Sequence, residues 1–134
     1  MNNDIRWKQR FQNFERSFLL LEEVANRDLN EFSSLEKEGI VQRFEILIEL
    51  SWKVLKDYLE NEGYDDVKNG KKAIRQAFQD GIITDPEAWM KALQQRNLTS
   101  HTYDNEILEV TVKYILEEFY FIARDLHTQL KNEL

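Results

Sequence analysis

This 134-residue sequence predicts an all-α protein, an up-and-down bundle of about five helices with a four-helix core, assembled as a dimer. Three observations carry that prediction. The first is scarcity of turn residues: four glycines and one proline, roughly 4% of the chain against about 12% in average usage. Sandwiches and barrels spend a turn residue every ten or so positions, so this composition argues strongly against them. The second is that apolar residues recur at steps of three and four, the spacing of one helix face. The third is that no stretch alternates apolar and polar in the manner of a strand. Hydrophobic residues at 42% supply a core, and charged residues at 32% suit long solvated helix faces. The length fits a single domain spanning residues 1–134 and is too short for two ordinary ones.

Each element follows in order. Residues 4–25 carry Ile5, Trp7, Phe11, Phe14, Phe18, Leu21 and Ala25, and from Trp7 onward these fall on one face. A polar stretch over 26–38 follows, with a short turn near 29–35. The second helix runs over about 40–62, bracketed by Gly39 and Gly63. Phe44, Leu47, Ile48, Ser51, Trp52, Leu55, Tyr58 and Leu59 form its main face, and Val41, Ile46, Leu50 and Val54 widen it. A helix so apolar around its circumference is normally buried from two sides. A shorter third helix over 71–80 turns Ala73, Ile74, Ala77 and Phe78 inward, with Gly81 as its cap. Asp85-Pro86 opens the fourth, an N-cap aspartate before a proline at the first helical position, and Trp89, Met90 and Leu93 follow. The last helix, over 104–131, shows a stripe of Leu108, Val112, Ile115, Phe119, Ile122 and Leu126, with Tyr114 and Phe121 outside it. The second and last helices present more apolar surface than a monomeric bundle buries, which predicts a homodimer. The alternative is that the short helices cover the excess.

Composition also bounds function. Without cysteine there is no disulfide scaffold, thiol nucleophile or thiolate-held metal. A net charge of −7 argues against a general duplex-DNA binder, whose surface must neutralise phosphate. No run is long and apolar enough to span a membrane and the N-terminus is polar, so the expected location is the cytoplasm. Residues 67–79 stand apart from the acidic background: Lys68, Lys71, Lys72 and Arg75 occur there without one acid. Lys71, Lys72 and Arg75 are candidates for docking a phosphate-bearing ligand, or form the ordinary basic face of an exposed helix.

Of the two histidines, His127 sits among Arg124, Asp125 and Lys131 and reads as a surface residue. His101 lies in the densest polar cluster of the chain, Gln95-Arg96-Asn97-Leu98-Thr99-Ser100-His101-Thr102-Tyr103-Asp104. In one continuous helix Arg96 and His101 would stand about 140° apart. They share a site only if the helix breaks between them. Thr99 and Ser100 favour caps and turns, and Asp104 is placed to cap the next helix, whose positive end could attract a phosphate. The residues alone equally allow Arg96 to pair with a helix-end carboxylate while His101 and Tyr103 pack over the bundle end. Glu45 and Glu49 read as a solvated pair one turn apart, unless the apolar surroundings of their helix bury and pair them. There is no phosphate-binding Gly-rich loop, no zinc motif and no EF-hand, so neither cofactor nor metal centre is expected.

Residues 41–59 with Arg43, Glu45, Glu49 and Trp52, then Ile74-Arg75-Gln76-Ala77-Phe78, then Arg96-Asn97-Leu98-Thr99-Ser100-His101-Thr102-Tyr103, resemble the nucleotidyltransferase substrate-binding proteins. These are minimal members of the HEPN superfamily and include the HepT toxins. The resemblance covers about residues 6–126. It implies a dimeric helical bundle that brings two Arg-x4-His motifs together, and a small nucleotidyltransferase on a separate chain as partner. It also implies roles: Arg96, Asn97 and His101 as the catalytic set of a metal-independent endoribonuclease, the toxin of a toxin–antitoxin pair. Tyr103 would be the residue the partner adenylylates. The second function the resemblance allows is a non-catalytic subunit that binds substrate or nucleotide for the transferase.

Overall fold

The computed structural model describes residues 2–134. Helix α1 (Asn3–Ala25) leads through a 3-10 turn (Leu29–Glu31) to α2 (Ser34–Asn61). Then come α3 (Gly70–Gln79), α4 (Pro86–Leu98) and a second 3-10 turn (Thr99–His101). Helix α5 (Asn105–Tyr114) continues without a break through a π turn (Ile115–Phe119) into α6 (Tyr120–Lys131), so the fold has five helices and, among the described residues, no strand.

Side-chain ties between helices set the topology. Arg10 bonds Asp57 at 2.8 Å, while Arg43 donates to the Leu20 carbonyl at 2.6 Å and to Glu23 at 3.1 Å, so α1 and α2 run antiparallel. Tyr120 donates to Glu22 at 2.9 Å and His127 meets Glu15 at 2.7 Å, so α6 runs antiparallel to α1. Arg96 bonds Glu45 on α2, and Lys91 bonds Glu118, which places α4 between α2 and the last helix and opposed to both. The result is an up-down-up-down bundle, with α3 inserted in the α2–α4 connection and packed on both.

One hydrophobic core unites Trp7, Phe14 and Phe18 of α1 with Phe44 of α2, Trp89 of α4 and Phe119. Phe44 and Trp89 both meet the Phe119 ring edge-on, at 4.7 Å and 6.0 Å between centroids. Each such aromatic pair adds about 0.5–1.5 kcal/mol beyond its area burial.

Several boundaries differ from the sequence prediction for local physical reasons. Helix α2 begins at Ser34 rather than near residue 40, because Ser33 and Glu36 form a capping box. The Ser33 hydroxyl accepts from the Glu36 N–H at 3.1 Å, and the Glu36 carboxylate accepts from the Ser33 N–H at 2.9 Å. That second bond holds the Glu36 carboxyl below the usual carboxylate range. The reciprocal cap outweighs the modest helix penalty of Gly39, which lies inside α2 in open space. Gly63 and Gly81, at φ of 104° and 77°, do end α2 and α3 as left-handed caps. Phe78 is not inward: it is exposed, one residue round from buried Ala77. In the π turn the Tyr120 N–H reaches back to the Ile115 carbonyl, five residues away instead of four. The wider turn shifts the buried face, so Tyr120 and Ala123 are buried and Ile122 only half-buried. Tyr114, placed outside the stripe by periodicity, is buried edge-on against Phe44.

His127 is the largest correction. It is not a surface residue: its side chain is 14% exposed. Its ring stacks on Phe18 at 4.7 Å and Phe11 at 5.7 Å, and Glu15 anchors its Nε2.

Candidate functional site

The candidate site is built where α4 ends. Arg96 occupies the last turn of α4, and the helix gives way after Leu98 to the 3-10 turn Thr99–His101. Thr99 makes the break. Its hydroxyl lies 2.8 Å from both the Arg96 carbonyl and Glu45 Oε2, and its single proton serves one of the two. The Thr102 hydroxyl returns to the Thr99 carbonyl at 2.9 Å. Asp104 then starts α5 by accepting from the Glu106 N–H at 2.9 Å and the Ile107 N–H at 3.3 Å. The turn between Arg96 and His101 and the cap at Asp104 therefore lie where the sequence places them.

The side chains diverge from this turn. Arg96 points to α2, where Nη1 donates to Glu45 Oε2 at 3.1 Å and to Thr99 Oγ1 at 3.2 Å. His101 is exposed and lines a groove of about 350 Å³ on the α5 side, walled by Leu98, Ile107 and Val110 with Gln95 and Glu106 at its edges. Tyr103 is 83% exposed, its ring edge-on to His101 at 6.2 Å. Asn97 is exposed in the last turn of α4. Arg96, Asn97, His101 and Tyr103 thus occupy one end of the bundle. The bonds of Arg96 go to Glu45 and Thr99 rather than to His101. At the start of α5, Asp104 and Glu106 put carboxylates on the positive helix end, where they oppose the phosphate that the sequence expects there.

The basic stretch is weaker than its sequence. Lys71, Lys72 and Arg75 are exposed on α3, but Lys72 pairs with Asp66 at 2.8 Å and Lys68 with Glu60 at 3.0 Å. Those acids lie just outside residues 67–79 and fold back onto the patch. Among the described residues no three His, Asp or Glu side chains cluster to hold a metal.

The sequence leaves Glu45 open between a solvated and a paired carboxylate and gives Thr99 a turn-forming role. The signal for Glu45 is a carboxylate next to Phe44, on a helix apolar nearly all round, where partial burial favours a partner. Arg96 is that partner.

A family model described as nucleotidyltransferase substrate binding protein like matches residues 9–132. The chain belongs to that family. Two solved structures share the family member's fold. One, from Thermus thermophilus, superposes with a TM-score of 0.75 at 28% identity, covering 89% of this chain and 97% of that one. The other, from Haemophilus influenzae, is described as revealing the fold of a substrate binding domain of a nucleotidyltransferase. It superposes with a TM-score of 0.70 at 27% identity, over 97% of this chain and 99% of its own. A Haemophilus influenzae protein named probable ribonuclease HepT is 38% identical over 72 residues, 51% of this family member and 49% of that relative. The matched segment therefore spans about half of each protein.

Proposed function

We propose that this chain is a HepT-like, metal-independent endoribonuclease, the toxin of a pair whose antitoxin is a small nucleotidyltransferase on a separate chain. The observation that carries the reading is the far end of α4. There a guanidinium, an exposed imidazole and an exposed phenol stand around one short turn, in a family member similar to a named ribonuclease.

The chemistry asks for three things: a base for the RNA 2′-hydroxyl, an acid for the departing 5′-oxygen, and a cation for the crowded phosphate charge. As the 2′-oxygen bonds to phosphorus, its proton passes to one imidazole. As the P–O5′ bond breaks, the 5′-oxygen takes a proton from another. The products are a 2′,3′-cyclic phosphate and a 5′-hydroxyl. One His101 supplies one of these roles. The second comes from a second copy's His101, which makes the homodimer part of the mechanism. Arg96, always charged and fork-shaped, holds the phosphate, and Asn97 orients substrate or histidine. No metal or cofactor takes part. Tyr103 is the control point: its hydroxyl attacks the α-phosphate of ATP on the partner transferase, pyrophosphate leaves, and the added AMP charge repels RNA from Arg96.

A second reading is favoured by two observations, the net charge of −7 and the acidic start of α5. In it, the chain binds a nucleotide or substrate for the transferase without cleaving anything, and Lys71, Lys72 and Arg75 add a weak phosphate contact.

The deciding experiment incubates the purified protein with RNA in EDTA beside His101→Ala. Cleavage that the substitution abolishes supports the ribonuclease. A clean dimer that leaves RNA intact supports the binding subunit instead. With the transferase and ATP, the wild type should gain the mass of AMP and Tyr103→Phe should not.

A further inference from the structure

We propose that Glu45, with Thr99, is the positioning residue for Arg96, fixing the guanidinium so that one edge is presented to a substrate phosphate. This rests on the ribonuclease reading and names a component that neither the family description nor the relatives assign.

Glu45 stands on α2 and Arg96 on α4, and among the described residues their bonds and that of Thr99 are the side-chain hydrogen bonds joining these two helices. All the bonding falls on one side of each group. Glu45 Oε2 accepts from Arg96 Nη1 and lies 2.8 Å from Thr99 Oγ1, whereas Oε1 has no hydrogen-bond partner. Arg96 Nη1 carries both guanidinium bonds, Nη2 makes none, and Nε is buried with no partner. The Arg96 side chain is still 37% exposed. A long arginine at a helix end would otherwise sample several rotamers. Here a buried threonine and a carboxylate from the neighbouring helix hold it by a single amino group.

This arrangement differs from a closed structural pair. An arginine–carboxylate pair at its strongest is bidentate, two parallel bonds that use both ends of the carboxylate. Glu45 takes one, on Nη1, which leaves Nη2 without a protein partner and open to a phosphate oxygen. Its negative charge opposes phosphate binding, so its presence costs affinity and is worth having only if orientation matters for the chemical step. That trade gives an asymmetric signature. Neutralising Glu45 should slow the reaction while leaving RNA affinity equal or higher.

The test compares wild type, Glu45→Gln, Arg96→Lys and the double variant for RNA cleavage in EDTA, with melting temperatures alongside. Glutamine keeps the length of the side chain and an acceptor for Thr99. Misplacing a group that contacts the reacting phosphate costs up to about 100-fold in rate. The expected result is kcat lower by about tenfold in Glu45→Gln with KM unchanged or reduced, and no further loss when Glu45→Gln is added to Arg96→Lys. Equal kcat in Glu45→Gln, a raised KM, or losses that simply multiply in the double variant would overturn the proposal. If wild type cleaves nothing, the ribonuclease reading has failed on its own, and the same cycle is read as affinity for a 2′-O-methyl oligoribonucleotide. Coupling between the two positions then supports Glu45 as the residue that positions Arg96. Additive effects, or no binding at all, overturn it.

Discussion

The two histidines of this chain occupy opposite kinds of environment. His127 is held in a socket: Phe11 and Phe18 stack on its ring, Phe14 lies tilted beside it, and Glu15 anchors its Nε2 at 2.7 Å. His101 stands on a three-residue turn, exposed, with one aromatic neighbour edge-on at 6.2 Å. The socket joins α1 to α6 and contributes to stability. The turn is fixed by hydrogen bonds of its neighbours, Thr99, Thr102 and Asp104, and none of those bonds uses the imidazole. An acid–base group must reach solvent and substrate, so a rigid turn with a free ring suits chemistry and a filled socket suits folding.

That contrast can be broken by substitution. On the proposed ribonuclease reading, His101→Ala should eliminate RNA cleavage, a loss of several orders of magnitude, while leaving urea stability within about 0.5 kcal/mol of wild type, as for an exposed side chain. His127→Ala should do the reverse. It empties part of the aromatic socket and leaves Glu15 without its main partner, at a cost of about 2–3 kcal/mol in urea denaturation. Its folded fraction should cleave RNA at the wild-type rate. Equal loss of stability in both variants would mean that the turn at His101 is as structural as the socket.

A smaller effect tests the local side of the comparison. Ser33→Ala removes half of the capping box that starts α2 and should cost about 1 kcal/mol. Because α2 carries Glu45, cleavage should be unaffected only if the loosening stays in the first turn, which hydrogen exchange along α2 will show.

The same contrast explains what the sequence discloses. The break after Leu98 is legible because Thr99, Ser100 and Asp104 act on backbone groups within three residues of themselves. Gly81 and the Asp85-Pro86 start are legible for that reason too. The Ser33–Glu36 box has an equally local signature, but it is masked by the polar run around it and by Gly39. His127 is misread because its neighbours in sequence are charged, whereas its partners in space come from α1, more than a hundred residues earlier. Glu45 and Arg96 are fifty-one positions apart, and only the packing of α4 on α2 reveals their pairing. The π turn has no local sequence signature at all.

The finest prediction concerns pH and again separates socket from turn. The His127 hydrogen bond, followed by its charge and that of Lys131, holds the Glu15 carboxyl below its ordinary value of 4.5, although burial acts in the opposite direction. A carboxyl depressed in the folded state stabilises the fold above the unfolded value, and that contribution fades as pH falls through the lower, folded one. Urea midpoints of wild type and Glu15→Gln should therefore differ at pH 7 and converge as the pH drops below about 4.5. With the Glu15 side chain 31% exposed, the difference at neutral pH should stay below about 1 kcal/mol. In a His127→Ala background the two curves should nearly coincide at every pH, since the principal cause of the depressed value is gone. A gap that survives in that background would assign the Glu15 contribution to Lys131 rather than to the histidine.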